Sequence, residues 1–167
     1  MPGSIFLCGL SGSGKSTVAP LVAQLRGFTA LDTDAMIVAD ARMTIAEIFS
    51  HEGEGGFRER EAYAVKSACA HSHSVVALGG GALERDDSFE AVSAAGMLVF
   101  LDAPDEVLAA RLEPPSGEVR PLLAQPDALS RMRARRIARF ERAALRIDTS
   151  TLTPGDISRV ILSVVEA

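Results

Sequence analysis

A glycine-rich segment early in the chain has the composition and spacing of a phosphate-binding loop. Residues 9–17 read GLSGSGKST and match the pattern GxxxxGK[ST] at Gly9, Gly14, Lys15 and Ser16. Glycines let backbone N–H groups turn toward an anion, and the dipole of a following helix favours negative charge. In such loops the lysine reaches the β- and γ-phosphate oxygens, and the next hydroxyl can ligate Mg²⁺. The segment therefore predicts nucleotide binding; the competing interpretation is a glycine-rich turn with a surface lysine.

Two aspartates are the first candidates for the acceptor side of a phosphoryl transfer. The segment LDTDAMI places Asp32 and Asp34 at the end of a second predicted strand. Strand alternation predicts that their side chains share one side, with Thr33 opposite. One carboxylate can then face Mg²⁺ through water, while Asp34 orients an acceptor hydroxyl or takes its proton. Their spacing is also consistent with a structural role, in which the two acids lie at the entry of a loop and cap a helix.

An arginine and a run of glycines are candidates for binding the acceptor itself. In GEGGFREREA, Arg58 is predicted in the first turn of a helix, where a cation is unfavourable by roughly a few tenths of a kcal/mol. Glu61 lies on the same helix face and can hold the guanidinium. The segment LGGGAL, with Gly79, Gly80 and Gly81, brings bare backbone to the rim of the predicted sheet, where a ligand can approach closely. A tight turn is the other interpretation of these glycines.

A second arginine interrupts an apolar stripe on a long predicted helix. The stripe consists of Leu129, Met132, Arg136, Phe140 and Ala143. Because Arg136 falls on this inward face, it requires an anionic partner. Together with Arg58 it suggests two guanidinium forks that converge on a carboxylate, and a buried structural ion pair is the alternative.

Two further arginines flank a segment rich in proline, glycine and glutamate. Arg120 opens RPLL after EPPSGEV, and a cation on a closing flap can meet the charge that develops on a transferring phosphoryl group. Arg111 precedes this flap and is a candidate to lie against an adenine ring. Residues 111–146 contain nine arginines and four acidic residues, a local net charge of +5 that leaves −10 for the rest. This distribution indicates a locally bound anion, although a solvated helix face explains most of these arginines equally well.

The elements that must position these residues alternate between strand and helix. Predicted strands are SIFLCG, FTALD, SVVALGGG, MLVFLDAP and RIDTS. Predicted helices are KSTVAPLVAQL, TIAEIFS, GFREREAYAVKSACA, DEVLAARL, PDALSRMRARRIARFERAAL with Asp127 as N-cap, and TPGDISRVILSVVE; Gly53, Gly55 and Gly56 separate the second from the third. Apolar strands that alternate with helices predict an α/β fold with a parallel sheet covered on both faces. Ligands bind at the carboxyl ends of such strands, where the glycines and acids named above fall.

The composition excludes several classes of protein. The 167 residues suit one domain, and a hydrophobic content of 47% argues against disorder. No apolar run approaches a membrane span, and the segment MPGSIFLCGL has no basic region, so we expect a cytoplasmic protein. A net charge of −5 argues against nucleic acid as a partner. Cys8 and Cys69 are too few for a disulfide framework, and Cys8 is expected to be buried and inert.

Taken in order, these motifs resemble the shikimate kinase family. The resemblance rests on GLSGSGKST, DTD, TIAEIF…GEGGFREREA, LGGGAL, RPLL and an arginine sixteen residues after Arg120, and it covers nearly the whole chain. Some positions depart from the family pattern; after the last arginine, for example, the family usually reads xPLYxE, whereas this chain has IARFER at 137–142. The phosphate loop is common to many kinases, but the combination of the other motifs is specific.

The resemblance implies a three-layer P-loop fold with five parallel strands in the order 2-3-1-4-5, forming a single domain over 1–167. It further implies a lid at roughly 112–126, a substrate-binding subdomain at roughly 33–61, and phosphorylation of the 3-hydroxyl of shikimate by ATP with Mg²⁺, in the pathway to chorismate and aromatic amino acids. ATP would be bound by Ser11, Gly12, Ser13, Gly14, Lys15, Ser16, Thr17, Arg111 and Arg120. Shikimate would be bound by Asp34, Arg58, Gly79, Gly80, Gly81 and Arg136. Lys15, Asp34 and Arg120 would be catalytic, Ser16 and Asp32 would serve the metal, and the protein is expected to be a monomer.

Three alternatives remain open at this point. A kinase of another small polyol acid, such as gluconate, would share the loop and the sheet but would not require FRxxE, GGG and the later arginine together. A nucleotide-binding regulatory module without transfer activity would be expected to lose one of Lys15, Asp34, Arg58, Arg120 or Arg136. A nucleoside-monophosphate kinase would need a base pocket, which the sequence does not suggest.

Overall fold

A five-stranded parallel sheet organises the chain. The computed structural model describes residues 3–112 and 127–165. The strands are β1 (Ile5–Cys8), β2 (Thr29–Asp32), β3 (Ser74–Ala77), β4 (Met97–Asp102) and β5 (Leu145–Asp148). They are hydrogen-bonded in the order β2-β3-β1-β4-β5, and all four pairings are parallel. The predicted fold class and strand order are thereby confirmed.

Seven helices connect and cover the strands in the described part of the chain. They are α1 (Lys15–Arg26), α2 (Thr33–Ala41), α3 (Ile45–Cys69), α4 (Asp86–Ala95), α5 (Asp105–Leu112), α6 (Ala128–Phe140) and α7 (Pro154–Val165). Helices α2 and α4 were not predicted from the sequence. Helix α2 follows β2 without a connecting loop, so its first residues resemble a continuing strand. Helix α4 has a sequence signal, because Asp86 and Asp87 lie in its first turn and Phe89 and Val92 are buried three residues apart.

The two faces of the sheet are covered by different helices. In β1, Ile5 and Leu7 pack into one apolar cluster with residues of α1 and α7. Phe6 and Cys8 point to the opposite face, where α4, α5, α6 and the C-terminal part of α3 supply the apolar cluster. Every residue of β1 is buried, including Cys8 at 1% exposure, as the sequence predicts.

Helix α3 is kinked at one glycine rather than broken at three. Gly53 alone has non-helical dihedral angles within the helix, with φ 69° and ψ −175°. The expected break at Gly55 and Gly56 is wrong, since both residues are helical. Ile48 before the kink and Phe57 after it pack with Ile37 of α2 in one apolar cluster. The kink thus lets one helix serve both α2 and the sheet.

Two further expectations concern regions at the end of α5 and the start of α6. The lid expected at roughly 112–126 lies outside the described residues except for Leu112, which ends α5. Asp127 does occupy the N-cap position of α6, but its side chain makes no capping hydrogen bond. Among the residues described, no helix has both the length and the apolar character needed to cross a membrane.

Candidate active site

The glycine-rich loop turns tightly between β1 and α1. Gly9, Gly12 and Gly14 all have positive φ, at 146°, 85° and 97°. At Gly9 a methyl group would lie 2.3 Å from the carbonyl oxygen of Leu101, so only glycine fits against β4. The N–H of Val18 donates to Gly14 O at 2.9 Å and begins the helical pattern of α1. The loop therefore presents its backbone and the N-terminus of α1 to the carboxyl edge of the sheet.

A cavity of about 410 Å³ opens above this loop. The predicted nucleotide-binding residues of the loop, Ser11 through Thr17, all line the cavity. Asp32, Asp34, Gly80 and Arg111 line it as well. The tertiary structure thus brings together four sequence-distant groups that the motif analysis selected separately.

Lys15 lies at the centre of the loop with its ammonium group directed at loop oxygens. Its Nζ donates to Gly9 O at 2.8 Å and to Leu10 O at 3.0 Å, and it lies 3.5 Å from Ser13 Oγ. The residue is only 9% exposed. The ammonium group has carbonyl partners in place of water and lies beside the cavity, where a phosphate would meet it.

Asp32 uses its two carboxylate oxygens for different contacts. Oδ2 accepts a hydrogen bond from Ser16 Oγ at 2.6 Å. Oδ1 accepts from the backbone N–H groups of Asp34 at 2.9 Å and Ala35 at 3.1 Å, which caps α2. Both interpretations that the sequence left open for this residue are therefore realised in part: it is a helix cap, and it also faces the hydroxyl of the phosphate loop.

The expected strand alternation at Asp32, Thr33 and Asp34 is wrong. Thr33 is the first residue of α2, fully buried, and its Oγ1 accepts a hydrogen bond from Gly79 N at 2.8 Å. Asp34 stands in the first turn of α2 rather than on a strand. The two aspartates reach the same cavity because a helical turn, not strand alternation, brings Asp34 round to it.

The oxygen donors beside the loop fit a magnesium ion. Mg²⁺ prefers hard oxygen ligands and is usually held by one or two carboxylates together with substrate phosphates and water. The Ser16 hydroxyl and the Asp32 carboxylate supply that kind of donor at the cavity wall. Within the described residues no cluster of three or more His, Cys, Asp or Glu could hold a metal by itself. The donor set therefore suits an ion that arrives with a nucleotide.

Two arginines and two glutamates form a compact charged cluster beside the cavity. Arg58 Nη1 donates to Glu61 Oε2 at 2.6 Å, and Glu61 is 3% exposed. Arg136, which is 4% exposed, donates through Nε to Glu84 Oε1 at 2.5 Å. The predicted partner of Arg58 is confirmed, and so is the predicted anionic partner of Arg136. Arg58 itself lies after the kink at Gly53, beyond the first turn in which it was expected.

The glycine turn after β3 closely approaches the side chains of Arg58, Glu61 and Arg136 in this cluster. A methyl group at Gly79 would lie 2.7 Å from Asp34 Oδ1 and 2.9 Å from Glu61 Oε1. At Gly80 it would meet Arg136 Nη1 at 3.1 Å, and at Gly81 it would lie 2.1 Å from Arg58 Nη1. These glycines allow a close approach of side chains to the backbone, and none of the three has a positive φ. The turn joins the arginine cluster to the cavity, because Gly80 and Asp34 border both.

The pKa values of the acids in the cluster move in opposite directions. Burial raises the pKa of Glu61, and the nearby charge of Asp34 adds to this, against the pull of Arg58. Burial also acts on Glu84, but the hydrogen bond and the charge of Arg136 outweigh it and hold the pKa of Glu84 below its usual range. At neutral pH the cluster therefore contains at least one ionised carboxylate beside the arginines, that of Glu84.

Arg111 borders the far end of the cavity. Its guanidinium donates to Thr149 Oγ1 at 3.0 Å, to Thr149 O at 2.6 Å and to Gly12 O at 3.3 Å. It therefore links the phosphate loop to the segment after β5. Arg120, the other predicted arginine on this side, lies outside the described residues.

The family model for shikimate kinase matches residues 11–166 of the chain. The chain belongs to the shikimate kinase family. A shikimate kinase from Symbiobacterium thermophilum is 42% identical over 163 residues, which cover 95% of this chain and 94% of the relative. The solved shikimate kinase from Acinetobacter baumannii in complex with shikimate superposes with a TM-score of 0.92 at 31% identity, covering 98% and 93% of the two chains. The shikimate kinase structure from Bacteroides thetaiotaomicron gives a TM-score of 0.89 at 25% identity, with full coverage of both chains.

The segment that departs from the usual shikimate kinase pattern seats α6 with its own contacts. Phe140 is buried and packs on Phe100 with ring centroids 5.1 Å apart. Arg139 and Arg142 stack over Phe89 of α4, with guanidinium carbons 5.0 and 4.3 Å from the ring centroid. The departures therefore leave the helix that carries Arg136 packed against α4 and the sheet.

Arg133 anchors α6 to the end of β4. Its guanidinium donates to Asp102 Oδ1 at 2.8 Å and to Asp105 Oδ1 at 2.7 Å. Other arginines of the basic segment are paired with acids of the protein, as Arg133, Arg135 and Arg146 show. These arginines are therefore explained by ion pairs within the protein. Arg136 differs from them by its burial.

The sequence patterns did not predict one largely apolar wall of the cavity or one member of the charged cluster. The wall consists of Val18, Leu78, Thr149, Leu152, Pro154 and Ile157. Most of these residues follow β5. They could have been predicted from the sequence, because β5 is a short strand that ends at the same edge of the sheet as the phosphate loop. Glu84 had no such signal, because its partner lies 52 residues away.

Proposed function

We propose that the chain transfers the γ-phosphoryl group of ATP to the 3-hydroxyl of shikimate, giving shikimate 3-phosphate and ADP. The observation that carries this proposal is the continuity between the phosphate-loop cavity and the two-arginine cluster, with Asp34 and Gly80 at their junction. One side suits a nucleoside triphosphate, and the other suits a small hydroxylated carboxylate. The relatives named above are shikimate kinases.

On the nucleotide side, the loop residues Ser11 through Thr17 bind the phosphates through backbone N–H groups and hydroxyls. Lys15 moves from its loop carbonyls to the β- and γ-phosphate oxygens and stabilises the charge on the transferring group. Ser16 and Asp32 hold Mg²⁺, which when bound neutralises phosphate charge. Arg111 lies against the adenine, and Leu152 and Pro154 supply apolar surface beside it.

On the acceptor side, Arg58 and Arg136 bind the carboxylate of shikimate, and the glycine turn at 79–81 lets its ring approach the backbone. Asp34 accepts the proton of the 3-hydroxyl or orients that hydroxyl. The oxygen forms a bond to the γ-phosphorus as the bond to the β–γ bridging oxygen breaks, and ADP carries away that electron pair. Glu61 pairs with Arg58 and keeps it in place for this contact.

Several finer expectations belong to the same proposal. Residues 33–61 form the substrate-binding subdomain, residues at roughly 112–126 form a lid, and Arg120 on that lid stabilises the transferring phosphoryl group. The monomeric state, the cytoplasmic location and the lack of a nucleic-acid partner stay predictions of the sequence.

The test is a coupled ADP-release assay with ATP and Mg²⁺, run separately with shikimate, gluconate and a nucleoside monophosphate. We expect release with shikimate alone. Release with gluconate would favour a kinase of another polyol acid, and release with a nucleoside monophosphate would favour a nucleotide kinase. ATP binding without release from any acceptor would favour a regulatory module.

Two variants separate the roles of the site in the same assay. Arg58→Ala should raise the KM for shikimate by about tenfold or more while the KM for ATP stays within about twofold, because it removes uniform binding of the carboxylate. Asp34→Asn should lower kcat by about 100-fold or more with unchanged ATP binding, as loss of a positioned acid–base group does. An effect of Arg58→Ala confined to ATP, or an undiminished kcat in Asp34→Asn, would contradict the assigned roles.

A further inference from the structure

Glu84 lies directly behind the glycine turn on a well-anchored stretch of backbone. Its N–H donates to Gly81 O at 3.0 Å, and Ala82 and Leu83 before it are 3% and 2% exposed. The Glu84 side chain is itself 19% exposed. Its carboxylate is therefore held by the loop at the inner edge of α6 rather than free on the surface.

Both carboxylate oxygens of Glu84 accept hydrogen bonds from adjacent arginines of α6. Oε1 accepts from Arg136 Nε at 2.5 Å, and Oε2 accepts from Arg135 Nη2 at 2.6 Å. The side chain of Arg135 is 60% exposed, whereas that of Arg136 is 4% exposed. Exposed ion pairs contribute little, and a buried cation requires its partner, so the contact with Arg136 is the consequential one.

The contact through Nε determines which edge of the guanidinium faces the site. A guanidinium is planar, and its donors lie in a fixed fork. With Nε bound to Glu84, the Nη1–Nη2 edge is the one that can bind a carboxylate in a bidentate manner. Arg136 Nη1 lies 3.1 Å from the position of a methyl group at Gly80, so this edge faces the glycine turn beside the cavity.

Glu84 is ionised when it does this. Burial raises its pKa, but the hydrogen bond and charge of Arg136, with the charges of Arg58 and Arg135, bring the pKa below its ordinary value. Glu84 also balances the charge of the cluster, because Arg58 is paired with Glu61 and Arg136 with Glu84. The carboxylate thus keeps Arg136 both paired and oriented at neutral pH.

We propose that Glu84 is a positioning residue for the acceptor: by holding Arg136 through Nε, it presents the Nη1–Nη2 edge to the substrate carboxylate and so sets the affinity for the acid. The inference rests on the proposed function, in which Arg136 binds the carboxylate of shikimate. Glu84 itself acts only through Arg136.

The first test compares two substitutions at this position. Glu84→Ala removes the acceptor of Arg136 Nε, and we expect the KM for shikimate to rise about tenfold while kcat and the KM for ATP change less than about twofold. Glu84→Gln keeps an oxygen that can accept from Nε, so its KM for shikimate should stay within about threefold of the parent value. Calorimetric titration with shikimate alone should give the same order of affinities without turnover.

Thermal unfolding of each variant checks that it is folded. If Glu84→Ala does not fold, Glu84→Asp replaces it; this variant keeps the charge but withdraws the carboxylate by one methylene, and its KM for shikimate should rise about fivefold. Asp87→Ala is the matched control, because Asp87 pairs with Arg85 at 2.9 Å on the exposed surface, outside the segments assigned to substrate binding. It should leave both KM values unchanged.

A double-mutant cycle shows whether the effect passes through Arg136. In an Arg136→Ala background, Glu84→Ala should change the affinity for shikimate by less than about twofold. An unchanged KM for shikimate in Glu84→Ala, an equal loss in the Gln variant, or a full loss in the Arg136→Ala background overturns the inference. If Arg136→Ala alone leaves the affinity for shikimate unchanged, the carboxylate-binding role within the proposed function fails instead.

Discussion

At the scale of single residues, Asp32 shows how one carboxylate can serve structure and chemistry together. Its Oδ1 caps α2, and its Oδ2 accepts from Ser16 in the phosphate loop. A substitution that removes the whole side chain therefore mixes the two contributions. An amide separates them, because it retains a neutral acceptor oxygen but loses the anionic charge.

Asp32→Asn and Asp32→Ala should consequently differ in stability more than in metal dependence. Both should raise the Mg²⁺ concentration for half-maximal activity by about tenfold or more, because an anionic oxygen beside the metal is lost. Only the Ala variant loses the cap of α2, which should cost about 1 kcal/mol in the free energy of unfolding. Urea unfolding and a Mg²⁺ titration at fixed ATP measure the two quantities. Parent-like Mg²⁺ dependence in the Asn variant would refute the metal role of Asp32.

At the scale of an element, the kink in α3 lets one helix carry Arg58 and Glu61 while also packing on α2. Gly53 has φ 69° and ψ −175°, a region of backbone space that is essentially restricted to glycine. Arg60 stabilises the bend from outside, because its guanidinium binds Glu52 on the other side of the kink at 2.8 and 2.9 Å. Gly55 is helical and exposed, and a methyl group there would meet nothing within 4 Å.

Alanine should therefore have opposite effects at these two glycines. Gly53→Ala should lower the free energy of unfolding by about 1–3 kcal/mol, because alanine is strained in that conformation. Gly55→Ala should raise it by roughly 0.5–1 kcal/mol, because alanine is the better helix former. Chemical denaturation of both variants beside the parent provides the comparison. Two changes of the same sign would show that the kink does not lie at Gly53.

At the scale of the whole molecule, acids on many surface elements are held ionised by local hydrogen bonds. The carboxyls with a lowered pKa on these surface elements are Glu47, Glu52, Asp87, Asp148 and Asp156. The causes are local: for Glu47 the backbone N–H of Thr44 is the largest, and for Glu52 it is the hydrogen bond from Arg60. Because their pKa values are depressed by folding, these groups add stability above their unfolded pKa values, 3.8 for Asp and 4.5 for Glu, and lose it as the pH falls through the folded values.

The melting temperature should accordingly fall as the pH is lowered from about 5 to about 3. Glu61 acts in the opposite direction, since its raised pKa favours the folded state below the unfolded value, but it is one group among several. Glu47→Gln should be less stable than the parent at neutral pH, and the gap should close at low pH, where Glu47 is protonated. Melting curves across this range test both statements; a gap that is constant with pH would exclude the capping carboxylate as its cause.

Local sequence determined the chemistry of the phosphate loop and the alternation of strands and helices along the chain. The spacing of Gly9, Gly14, Lys15 and Ser16 is sufficient for the loop, because the required dihedral angles and functional groups lie within a few residues. Periodicity and glycine placement likewise identified all five strands. The burial of Arg136 followed from the same kind of evidence, since a cation on an apolar stripe has to face inward.

Only the tertiary structure decided the partner of Arg136 and the far wall of the cavity. Which acid pairs with Arg136 depends on how α6 lies across the turn after β3, and the answer, Glu84, is 52 residues away in sequence. The far wall of the cavity depends in the same way on β5 ending at the edge where β1 ends. Local sequence specifies backbone conformation and burial, whereas contacts between distant segments follow from strand order and helix packing, which are properties of the whole chain.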